Sequence, residues 1–241
     1  MLEQADLLES RYKKQAGGKQ EFTVSTQHYS FAVNAFVDLI KQYGGDTYDF
    51  SLQETQTYTI IDDVAHMRSE IGILYYNAFN KAVLQKIFKA NDLVFRELFV
   101  ARPHVFLNAS HPLAGRDSVS MEELAPYPYL SYIQGDHNAF YFSEEIFSTL
   151  VRSKNIRVTD RATLFNLLIG LNGYTVCSGV IDQKLNGASI IAVPLQKEGD
   201  MHIGLLTHKQ THLSRLGKAY VEALERYIAG QVGEKTVKSA E

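Results

Sequence analysis

A single cysteine, Cys177, leaves this 241-residue chain no internal disulfide to form. The N-terminus lacks a basic segment followed by an apolar run of signal-peptide length, and no apolar stretch approaches the roughly 20 residues needed to span a bilayer. These absences argue against a disulfide-stapled secreted scaffold and against membrane insertion, and they give a cytoplasmic location as the expectation. Concentrated charge is missing too. Lys and Arg number 24 against 27 Asp and Glu, for a net charge of -3, and the basic residues are scattered. With no electrostatic footprint for a phosphate backbone, this chain alone is expected to bind nucleic acid poorly. Nor is there a nucleophile elbow, a Walker-type loop, a His-Glu-x-x-His motif or a cysteine pair at metal spacing, and the eight histidines are dispersed. No metal, cofactor or enzymatic activity is expected.

What is present is a 45% hydrophobic composition, enough to bury a sizeable core in one large domain or in two lobes of about 100 residues each. The most informative stretch runs from Leu98 to Tyr132. Two apolar strands, Leu98 to Ala101 and His104 to Leu107, flank Arg102-Pro103 as one extended segment, the way a chain passes from one lobe to another. His111-Pro112-Leu113-Ala114 and a Gly-Arg-Asp turn follow. Ser120 and Glu123 then have capping-box spacing for a short helix, and Pro126 and Pro128 stop it before a strand at Tyr129 to Ile133. This order of parts resembles the effector-binding domain of LysR-type transcriptional regulators. A second mark is the helix predicted over Asp160 to Gly173, ending in Asn172-Gly173 just before the apolar strand Tyr174 to Cys177.

The resemblance implies a type-2 periplasmic-binding-protein-like α/β fold, with two α/β lobes, a cleft and two hinge crossings. Its expected divisions are residues 1–18 as the end of a linker helix and a linker, 19–101 plus 203–230 as lobe I, 102–202 as lobe II, and 231–241 as a disordered polar tail. Helical spacing at Leu2, Ala5, Leu8 and Tyr12 fits the linker helix, which in the family connects to an N-terminal winged helix-turn-helix that this sequence does not contain. DNA would then be bound only through that missing domain. The resemblance also implies a homodimer, or a tetramer at full length, with the helix at Phe31 to Tyr43 of one subunit against a helix at Asn138 to Val151 of the other.

Periodicity within lobe I alternates strand and helix, which points to parallel crossovers, and ligands bind outside the carboxyl ends of strands in such sheets. Three loops meet that condition, Ser25 to His28, Glu54 to Thr57 and Tyr75 to Asn77. Candidate ligand-binding residues are therefore Ser25, Thr26, Gln27, His28, Thr55 and Tyr75 from lobe I, with Phe99 on the crossing strand. Ser131, Thr159, Asp160 and Ser178 face them from lobe II. Ser25 to Gln27 would sit at a helix N-terminus, where hydroxyl, amide and free N–H groups either cap the helix or hold an anion. The resemblance adds that LysR-type pockets use this junction, and that a Thr-Gln pair occurs there in the sulfur-metabolism branch. His28 either donates to a ligand or is a solvated histidine at a helix start, and Cys177 reads as a buried small apolar residue.

The function expected is effector sensing: a small anionic metabolite in the interlobe cleft, contacting Thr26, Gln27, Ser131 and Thr159, controls DNA binding and transcription. Two rivals share the fold. One is the solute-binding protein of a transporter, opposed by the missing secretion signal and lipobox cysteine and by the linker-like N-terminal helix. The other is a lyase or dehydratase, opposed by the absence of a convergent acid-base set or a Thr-Arg-Phe segment.

Overall fold

Residues 19–137, 139–181 and 187–238 are described by a computed structural model of the chain. The first lobe is built on a five-stranded sheet in the order β2-β1-β3-β10-β4. Strands β1 (Gln20–Thr26), β2 (Tyr48–Glu54) and β3 (Ile71–Tyr76) run parallel, joined through helices α1 (Ser30–Tyr43) and α2 (Thr57–Ala65). Strand β10 (Met201–His208) inserts antiparallel between β3 and β4 (Leu93–Ala101), and α3 (Lys81–Ala90) links those last two first-lobe strands. All six residues of β3 are buried, as expected for a central strand covered on both faces.

Beyond Arg102-Pro103 the chain enters the second lobe. There β5 (His104–Asn108) lies between β8 (Thr175–Cys177) and β9 (Ile190–Pro194), antiparallel to both. Strand β6 (Tyr129–Tyr132) runs parallel to β7 (Asn155–Val158) and joins β8 through a bridge between Tyr129 and Tyr174. The passages from β4 to β5 and from β9 to β10 are the two crossings between lobes.

Local chemistry explains the element ends. The short helix α4 (Met121–Leu124) carries the expected capping box: the Glu123 N–H donates to Ser120 Oγ, and the Ser120 N–H donates to the Glu123 carboxylate. Helix α5 (Arg161–Leu171) is capped by Asp160, which accepts from the Thr163 N–H at 2.8 Å, and it ends at Asn172 in the left-handed conformation. The two sequence marks of the family touch here. The buried His111 ring accepts the Leu113 N–H on Nδ1 and lies 3.1 Å from the Asn172 carbonyl through Nε2, and burial pushes its pKa down, so the ring is a neutral strut.

Three expectations need correction. Residues 139–151 form no α-helix; a 3-10 turn at Phe140–Phe142 is followed by irregular chain, and Phe147 takes a positive φ of 65°. Aromatic and β-branched residues are weak helix formers, and the apolar residues here pack onto different partners, Phe142 beside Ile60 and Leu84 and Ile146 in the main core. The helix pairing expected for a dimer therefore lacks one helix, and α1 already buries Phe31, Ala32, Ala35, Phe36 and Leu39 within the chain. On that side α6 (Arg215–Lys238) covers it, with the Tyr220 hydroxyl donating to the Ala32 carbonyl at 3.0 Å. Helix α6 also continues through 231–238, where a disordered tail was expected, because extending a formed helix is far easier than nucleating one. The expected linker helix in residues 1–14 and the last three residues of the tail lie outside the described residues.

Gly72 lets α2 approach β3, since a Cβ there would come within 2.8 Å of Ile60 Cγ2 and 3.0 Å of Val64 Cγ2. Gly72→Ala should lower stability by about 1–3 kcal/mol through overpacking. The check is urea unfolding, with a reduced midpoint and an unchanged slope.

Candidate functional site

At the carboxyl ends of β1, β2 and β3, two of the predicted loops, Ser25 to His28 and Glu54 to Thr57, meet the second lobe, and Asn80, just beyond the third, does so as well. The His28 N–H, just before α1, donates to Glu144 Oε2 at 3.0 Å, and His28 Nδ1 lies 2.8 Å from the same oxygen. The Thr57 N–H, an otherwise unpaired donor in the first turn of α2, donates to Gln134 Oε1 at 3.0 Å. Gln134 Nε2 in turn donates to Glu144 Oε1 at 3.1 Å, tying both contacts into one network. Glu54 at the end of β2 pairs with Arg161 of α5 at 3.1 Å, and Asn80 Nδ2, after β3, donates to the Tyr141 carbonyl.

Beside the His28–Glu144 contact lies a small cavity of about 40 Å³, room for a water or two while the lobes are closed. Its polar wall is His28, Glu144, Glu145, Arg161, Thr175 and Ser178. Its apolar wall includes Tyr29, Phe106, Tyr132, Leu164 and Phe165. The His28 ring is stacked on Tyr132 with centroids 3.7 Å apart. Its side chain is only 4% exposed, and Nε2 has no hydrogen-bond partner among the described residues. Burial by itself would lower the ring's pKa, but the Glu144 charge and hydrogen bond, helped by Glu54, outweigh it and hold the value above the ordinary one. Nδ1 faces Glu144, and the ring borders the pocket.

Glu145 is also buried, and its Oε1 accepts the Tyr132 N–H at 2.9 Å. Burial, and then the neighbouring Glu144 charge, push its pKa up to about 8, against the pull of that hydrogen bond and of Arg152. The raised Glu145 pKa favours its neutral form beside Glu144, whose charge faces the His28 ring.

Of the sequence candidates, His28 and Ser178 line the pocket. The alternative of a solvated His28 is corrected by its burial, which follows from Tyr132 and Glu144 closing over it. Ser25 is bonded to Asp63 and Ser69 at 2.7 Å each, inside lobe I. Thr26 Oγ1 donates to the Gln27 carbonyl, and its own carbonyl accepts the Thr55 N–H. Gln27 is fully buried: its Nε2 donates to Thr57 Oγ1, and its Oε1 accepts from the Tyr29 hydroxyl and the Tyr75 N–H. Tyr75 is buried behind it, and Phe99 packs edge-on against Phe31. Ser131 is half-buried in β6, and Thr159 and Asp160 are exposed at the start of α5. Cys177, expected to be buried, is half-buried because the last residue of β8 borders the pocket. Sequence reasoning missed Gln134, Glu144, Glu145 and Arg161. Two adjacent acids in an apolar run, Ser-Glu-Glu-Ile, were the available signal.

Among the described residues no helix is long and apolar enough to cross a membrane. The sequence profile of the LysR substrate binding domain matches residues 23–229. No curated protein sequence matched the chain. Among solved structures, the fold is similar to the effector binding domain of QuiR in complex with shikimate (TM-score 0.57, 17% identity, 87% of this chain and 97% of that one). It is also similar to HinK, a LysR family transcriptional regulator from Pseudomonas aeruginosa (TM-score 0.56, 14% identity, 93% and 76%). The oxidised form of OxyR is another similar structure (TM-score 0.55, 16% identity, 88% and 98%). At these identities the structural likeness speaks for the fold alone.

Because Glu145 keeps a proton in the folded state that the unfolded chain loses near pH 4.5, its contribution to stability is complete below that pH and is lost as pH rises through about 8. The raised His28 value acts in the same direction, its contribution being lost as pH rises through the folded pKa. Glu145→Gln keeps the acceptor for Tyr132 and removes one ionisation. Its melting temperature should fall less than the wild type's from about pH 5 to about pH 9, leaving the variant the more stable protein at the upper end. Parallel pH profiles would contradict the burial argument. Taken together, the profile match over most of the chain and the two-lobed fold show that this protein belongs to the LysR family, as a ligand-sensing LysR substrate binding domain.

Proposed function

We propose that this domain senses a small anionic metabolite in the interlobe pocket walled by His28, Arg161 and Ser178. The observation that carries the reading is the His28 ring. It is buried, its pKa is raised by Glu144, and its Nε2 has no hydrogen-bond partner among the described residues. A buried polar atom without a partner costs about 1–3 kcal/mol, which a ligand would recover. Arg161 and the Ser178 hydroxyl give the same wall further donors.

In this reading lobe I comprises residues 19–101 plus 203–230 and lobe II residues 102–202, and they move about the two crossings. A ligand shifts that equilibrium only by preferring one arrangement, and a DNA-binding domain of the full-length regulator would report the choice. A cytoplasmic location and a homodimer are part of the same proposal, supported by family membership.

The test is a thermal-shift screen against carboxylic, hydroxy and keto acids, phosphates, sulfate and amino acids. A ligand at about 100 times its dissociation constant adds about 2.7 kcal/mol, a rise of several degrees for a domain of this size. The rise should vanish in His28→Ala. An equal rise in that variant would place the ligand elsewhere.

A further inference from the structure

Glu144 belongs to the second lobe, yet both its oxygens are engaged at the mouth of the first. One takes the His28 N–H and faces the His28 Nδ1, and the other takes Gln134 Nε2. The carboxylate side chain is only 5% exposed. Three converging partners, one backbone N–H, one imidazole nitrogen and one amide, are what a free carboxylate would need in order to leave water. The segment carrying Glu144 is irregular and adheres to lobe I through separate contacts, with His137 stacked on Tyr58 at 3.5 Å and Tyr141 on Phe79 at 4.9 Å. An independent sign of ligand chemistry lies on the same ring, which borders the pocket and whose buried Nε2 has no partner among the described residues.

We infer that the donors around Glu144 form a carboxylate seat occupied from within, and that the effector is a carboxylate bearing a second hydrogen-bond acceptor, such as a hydroxy or keto acid, that exchanges with Glu144. This rests on the proposed sensing role of the pocket. The incoming carboxylate takes the His28 N–H and Nδ1–H, its second acceptor meets Nε2, and Glu144 leaves with residues 139–149, releasing the lobes from each other. A second carboxylate cannot simply be added beside Glu144, because one ring charge would then face two carboxylates within contact distance.

Vacating the seat tests this without knowledge of the natural effector. In Glu144→Ala, sodium acetate should raise the melting temperature by a few degrees over sodium chloride at equal ionic strength. Wild type and Glu144→Gln, whose seats remain filled, should show no such difference. No acetate response in Glu144→Ala, or an equal response in wild type, overturns the inference. If Glu144→Ala does not fold, amide exchange at His28 in Glu144→Gln decides. Faster exchange than in wild type is expected from the weaker neutral acceptor, and unchanged exchange overturns the seat. The acetate response reads the seat alone, so a screen that finds no effector would count against the sensing role and leave this result standing.

Discussion

Two backbone N–H groups lie at neighbouring strand ends, that of His28 just before α1 and that of Thr57 in the first turn of α2. The second lobe supplies an acceptor to each. Glu144 takes the donor at His28, Gln134 takes the donor at Thr57, and a hydrogen bond between the two side chains makes one network of both. Without them the first lobe would expose a row of positively polarised helix ends along the cleft, and the second would bury a carboxylate without a counterion. Each lobe therefore completes the polar bonding of the other. Removing one partner of a buried charge pair costs about 3–5 kcal/mol, mostly because the other is left unpaired, so this contact weighs heavily in the balance between closed and open arrangements.

The same network sets the electrostatics of the pocket. Glu144 and Glu145 are adjacent in sequence and both buried, with the His28 ring beside Glu144. Protonation of Glu145 relieves the repulsion that two ionised neighbours would feel, and the raised pKa of His28 follows from the charge left on Glu144. Farther out, Arg161 and Glu54 form a second pair across the cleft, so charge is balanced pair by pair. A ligand that brings a negative charge must displace one of the resident ones or meet their repulsion.

Much of the architecture could be read from the residues. The Leu98 to Tyr132 stretch carries its own punctuation, with Pro103 at the crossing, the Ser120–Glu123 capping box, and prolines before β6, and each feature acts over a few residues. His111 and Asn172-Gly173 marked the family because they hold one turn of lobe II: His111 reaches the Asn172 carbonyl, and a Cβ on Gly173 would come within 2.3 Å of Leu130. They report packing and say nothing of the ligand. The pocket was harder to read. Thr26 and Gln27 have the residue types of a binding loop, yet their polar groups are directed into lobe I, which sequence spacing cannot distinguish from a cleft-facing arrangement. Glu144 and Glu145 sat within a pattern with helical apolar spacing, where acids read as a solvated face. In the fold the apolar residues of that segment divide between two cores, and the acids turn inward because His28, far away in sequence, and Gln134 supply donors to Glu144 while Tyr132 supplies one to Glu145.

Amide hydrogen exchange at His28 and Thr57 in the unliganded protein tests most directly whether the two lobes are closed by this network. Among the described residues both N–H groups have only second-lobe side chains as acceptors, so both should be strongly and equally protected, through one opening of the cleft. Fast exchange at either amide, or protection at one and not the other, would contradict closure through Glu144 and Gln134.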